Sequence, residues 1–150
     1  MNGSDRPPAS LSSAWLGGAF AIAAFALLSH LGMILVMTSG AALGAALQFA
    51  PNFLLYAVAG AGVMMLLLVA IMHFAEAGNT RRSLRAWLIA GLMVSSPLAL
   101  FGLLAANMGD PVEGAPLFDY RTLIAPAFFL TCGLVGGATA FRIRHRSWSR

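Results

Sequence analysis

His30, Met33 and Met37 fall at i, i+3 and i+7, a spacing that puts all three on one face of a helix. An imidazole nitrogen beside two thioethers is a soft donor set suited to Cu(I), and Met108 stands at the far end of a later apolar stretch where it can join them. The plainer reading has the methionines filling irregular gaps in apolar packing and the histidine bonding a neighbouring helix. An ionisable side chain inside an apolar segment is still the first place to look for function.

Haem is the other cofactor these residues bring to mind. Bis-histidine ligation needs two imidazoles at one depth. His30 lies late in the first apolar run and His73 late in the second. Runs that cross a bilayer in opposite directions then separate the two rings by about 20 Å in depth, at 1.5 Å per residue. One haem does not bridge them, so only a single-ligand site on His30 remains. Copper and haem are the candidate cofactors, and neither is firmly implied.

Catalytic chemistry finds little to work with. No Asp or Glu lies deep in an apolar run, so the carboxylate that proton-coupled exporters use has no counterpart and His30 is the only candidate carrier. The sequence contains no HExxH, no GxSxG and no zinc-spaced Cys/His cluster. Cys132 is the single cysteine and forms no intrachain disulfide. Asp110, Glu113 and Asp119 stand among glycines and prolines and read as a solvated loop rather than a hard-cation site. Ser95 and Ser96 precede Pro97, which is expected to kink its helix by removing a backbone bond, with the hydroxyls placed to satisfy the freed carbonyl. No catalytic residue is assigned, and the expectation is a protein that is not an enzyme.

The elements that must position these residues follow from composition. The chain has 150 residues, 59% hydrophobic and 9% charged; soluble domains carry roughly a quarter charged residues, so the solvent expected here is lipid. Four apolar runs span about 14–38, 53–75, 84–108 and 122–141, each near the roughly 20 residues needed to cross a bilayer. The first is longer than a signal-peptide core and is read as an uncleaved span, with Trp15 at its interface. Residues 1–13 read as a polar tail and 142–150 as a basic one. Residues 39–52 carry no charge and read as a tight turn followed by an interfacial helical segment, with Pro51 and Asn52 restarting the chain and Asn52 as helix cap. Gly78 and Asn79 stop the second helix, Thr80 or Ser83 caps the third, and Asp119 or Thr122 caps the fourth.

Charge sets the orientation. All nine basic residues are arginines. Arg6, Arg81, Arg82, Arg85, Arg142, Arg144, Arg146 and Arg150 fall on one side of the four runs, and only Arg121 on the other. Translocated loops are depleted of Lys and Arg, so both termini are expected in the cytoplasm. The net charge of +4 is accounted for by this placement, and no nucleic-acid partner is implied. Arg142, Arg144 and Arg146 with Trp148 are expected to hold anionic lipid headgroups, at about 1 kcal/mol per basic residue. The absence of lysine beside abundant Ala and Gly points to a GC-rich bacterium, hence to its inner membrane.

Small residues at four-residue spacing mark helix contacts: Gly133 and Gly137 in the fourth run, Gly40 and Gly44 after the first. In lipid, close backbone approach supplies much of the energy that holds helices together. Such faces serve either the chain's own bundle or another subunit. The expectation is therefore an all-α integral membrane bundle of four transmembrane helices, N-in and C-in. Its expected role is an accessory, assembly or stabilising subunit of a larger membrane complex, packed against another membrane protein or a copy of itself. A metal- or haem-handling protein using His30, Met33 and Met37, and a small oligomeric transporter or channel, are the alternatives.

Overall fold

A computed structural model of the chain describes residues 10–77, 83–107 and 120–145. They form four helices, α1 (Leu11–Thr38), α2 (Leu43–Ala77), α3 (Leu84–Asn107) and α4 (Tyr120–His145), with no strand among the described residues. Each is long and apolar enough to cross a membrane. Met108, Asp110, Glu113, Asp119, Gly78, Asn79, Thr80, Arg146 and Trp148 lie outside the described residues.

Local chemistry fixes three of the helix ends. Ser10 caps α1 by accepting the Ser13 N–H at 3.2 Å, and Ser83 caps α3 by accepting the Ala86 N–H at 3.2 Å. At the end of α1, Ser39 (φ 49) and Gly40 (φ 84) both turn left-handed. The Ala41 N–H then reaches the Thr38 carbonyl at 3.0 Å and the Leu43 N–H reaches that of Gly40 at 3.1 Å. Gly40 thus belongs to the turn and not to a helix face.

The chain does not restart at Pro51 and Asn52. Helix α2 begins at Leu43 and runs through both residues for 35 residues, so Asn52 is a helix-interior residue and not a cap. The reason is that Pro51 removes a single N–H, while the apolar, Ala-rich stretch before it has no other use for its backbone polar groups in an apolar solvent. At 1.5 Å per residue α2 is about 52 Å long, well beyond a hydrocarbon core of about 30 Å. It must tilt or emerge. Helix α4 also continues past Phe141 to His145, so Arg142 and Arg144 stand on its last turn, where cations face the negative end of the helix dipole. Thr122 lies inside α4 rather than at its cap.

The packing is uneven. Helices α3 and α4 make the most extensive contact, followed by α1 with α2 and α1 with α4; α2 meets α3 only slightly. Buried positions are Ala14 to Ala26 on α1, chiefly Ala61 to Met72 on α2, Trp87 to Gly102 on α3 and Cys132 to Ala140 on α4. On α1, α2 and α4 these cluster toward the end that carries the arginines. Toward the other end α1 and α2 leave Leu35, Val36, Leu47, Phe49, Leu55 and Tyr56 exposed. Burial closes the bundle at the arginine end, while the opposite halves of α1 and α2 are largely exposed.

Glycines make the closed end. A Cβ on Gly91 would strike the Gly133 carbonyl, one on Gly133 would strike Gly91 and the Ser95 hydroxyl, and one on Gly137 would meet the Trp87 carbonyl. Helices α3 and α4 therefore touch backbone to backbone, which only residues without side chains permit. Met65 of α2, wholly buried, inserts between Gly18 of α1 and Gly136 of α4. Thioether flexibility suits it to that irregular hole.

Candidate functional site

Toward the opposite end a groove of about 580 Å³ opens between α1, α2 and α4. From α1 it is lined by Ala26, Ser29, His30, Met33 and Met37, and from the other helices by Phe53, Ile124, Ala125, Phe128 and Phe129. The helical spacing of 26, 30, 33 and 37 turns those α1 residues to one side, with the small Ala26 forming the deep end. The volume lies inside the 300–1,000 Å³ range typical of small-molecule sites.

Aromatic contacts shape the walls. The His30 imidazole lies on the Phe53 ring, with centroids 4.4 Å apart and planes 10° from parallel. Phe128 stacks on Phe25 of α1 at 5.9 Å and meets Phe129 edge-on at 5.6 Å. Thus α4 is braced against α1 beside the groove, and α2 reaches it through a single ring. His30 is half-buried, while Met33 and Met37 are 43% and 72% exposed.

Of the residues singled out by spacing, His30, Met33 and Met37 come together on this groove. The rise between His30 and Met37 is about 10 Å, so a single ion held by all three would need both end side chains to converge on the middle of that span. No group of three His, Cys, Asp or Glu side chains gathers anywhere among the described residues. His73 is exposed and its ring sits 5.9 Å from Phe74, at the far end of α2 from His30. Gly133 and Gly137 are engaged with α3, whereas Gly44 has open space where its Cβ would lie.

The Ser96 hydroxyl donates to the Met93 carbonyl at 2.9 Å, and Ser95 to that of Leu92 at 3.2 Å. Met93 is the residue four before Pro97, so its carbonyl is the one the proline leaves without a backbone donor. At the arginine end, Arg142 is exposed and the His145 Nδ1 lies 3.0 Å from the Phe141 carbonyl. Trp15 ties α1 to α2: its Nε1 donates to the Gly62 carbonyl at 2.9 Å.

Sequence spacing did not point to Ser29, Phe53, Phe128 or Phe129. Ser29 is adjacent to His30 and the paired 124/128 and 125/129 positions follow helical period, so that much of a signal is present. Their meeting across three helices is a tertiary fact. Comparison with protein-family models, curated proteins and solved structures finds no match to this chain.

Proposed function

We propose that this is a small multi-pass protein of a bacterial inner membrane, N-in and C-in, serving as a non-enzymatic accessory, assembly or stabilising subunit of a larger membrane complex. One observation carries the reading. The exposed faces of α1 and α2 present small and polar residues that the chain's own helices do not use. Gly32, Gly44 and Gly60 have nothing within 4 Å of where a Cβ would lie. Gln48 and Asn52, one turn apart on α2, are exposed and have no hydrogen-bond partner among the described residues. Small residues allow a neighbouring helix to approach, and amides give it hydrogen bonds. The glycines of α3 and α4, by contrast, are consumed within the bundle.

The arginines support the orientation through the bias against translocating positive charge. Arg142, Arg144, Arg146 and Trp148 would anchor α4 to anionic headgroups on the cytoplasmic face. Purification in a mild detergent tests the role. The expected product is a stoichiometric complex that dissociates when Gly44 and Asn52 are both replaced by leucine. Recovery of a lone monomer from gently solubilised membranes would contradict it.

A further inference from the structure

The geometry points to the groove between α1, α2 and α4 as a binding site for a neutral, flat, lipid-soluble ring molecule bearing a carbonyl or hydroxyl oxygen, the chemical class of quinones and quinols. This goes beyond the subunit role and does not depend on it. Two adjacent polar groups open on the groove, the Ser29 hydroxyl and the His30 imidazole, and neither has a hydrogen-bond partner among the described residues. Both lie within a helix apolar enough to cross a membrane, where an unsatisfied polar group is costly because no water is at hand. A neutral imidazole offers one donor and one acceptor, so it takes either a quinone carbonyl or a quinol hydroxyl.

The rest of the wall selects shape and polarity. Phe53, Phe128 and Phe129 supply ring surfaces and Met33 a polarisable one, which suit a planar π-system. His30 is already held flat on Phe53, so its ring is ordered before a ligand arrives. Among the described residues no charged side chain lines the groove, which disfavours an ionic ligand. A volume of about 580 Å³ is far larger than a bare metal ion needs, and it favours an organic molecule over Cu(I).

The test uses the full chain in detergent and decylubiquinone as probe, with an azido derivative for photolabelling. Saturable binding near one molecule per chain is expected. The substitution His30→Phe keeps a ring on Phe53 but removes the nitrogens, and should weaken binding about tenfold. Phe101→Ala, on a ring of α3 that is exposed away from the groove, should leave affinity unchanged. Photolabel should fall on the α1 and α4 segments that hold Met33 and Phe128. Non-saturable partitioning, or equal affinity in folded wild type and His30→Phe, would overturn the assignment. So would tight retention of Cu(I) or haemin that decylubiquinone does not displace. If His30→Phe fails to fold, the wild-type label map decides, and label confined to α3 refutes the site.

Discussion

Gly91 and Gly133 bring the backbones of α3 and α4 into direct contact, each occupying the space a Cβ of the other would need. Fixed backbone on both sides leaves no flexible side chain to give way. Gly133→Ala should therefore destabilise the bundle by about 1–3 kcal/mol, the usual cost of overpacking. Gly44→Ala meets nothing, and should stabilise α2 by about 0.5–1 kcal/mol through helix propensity. Reversible unfolding in mixed micelles would read both; equal effects would mean that the two glycines stand in the same environment.

Met65 offers a test of packing between three helices at once. Met65→Ala empties the hole between Gly18 and Gly136, and should cost about 2–5 kcal/mol. Gly18→Ala alone should also destabilise, because its new methyl would meet the Met65 side chain. Combined, the two should be less harmful than their sum by about 0.5–3 kcal/mol. A strictly additive double-mutant cycle would show that Met65 does not fill this position.

Trp87 is wholly buried, and its indole N–H has no hydrogen-bond partner among the described residues. Trp87→Phe loses ring volume but no hydrogen bond, and also removes a buried donor. It should cost well under the about 3–5 kcal/mol expected of Trp87→Ala. Detergent-unfolding midpoints of the two variants check the order. A Phe variant as unstable as the Ala variant would imply that the N–H is bonded after all.

Ser96 and Pro97 should be coupled. Removing the hydroxyl with Ser96→Ala leaves the Met93 carbonyl without its donor, a loss of about 0.6 kcal/mol by the average for hydrogen bonds in membrane bundles. In a Pro97→Ala background the backbone N–H returns, and Ser96→Ala should then be neutral. The same unfolding assay measures both arms, and an equal loss in each would break the link between them.

Much of this fold is legible in the sequence, and the reason is solvent. Four apolar runs near the length of a bilayer become helices because lipid leaves the backbone no other hydrogen-bond partner. Ser83 is readable as a cap by the same chemistry that works in water. Pro51 and Asn52 mislead, because ending a helix in lipid would strand several backbone groups, whereas running through Pro51 forfeits one N–H bond. Trp15 is legible only in part. An indole at a span's edge suits the headgroup region, and no spacing in the sequence shows that the Gly62 carbonyl of α2 accepts a hydrogen bond from its N–H. In the groove, His30, Met33 and Met37 share one helix and their period reveals them. Phe53 and Phe128 come from other helices, and no spacing within a single run connects them to His30.

The central claim is that the exposed face of α1 and α2 is where this protein meets a larger membrane partner. A photocrosslinking residue placed at Gly44 in living cells tests it most directly, because that position is open and plays no part in the chain's own packing. The account predicts a discrete protein adduct of defined higher mass, absent when the probe is placed at Phe101, an exposed position of α3. Crosslinks to lipid alone at Gly44 would contradict it.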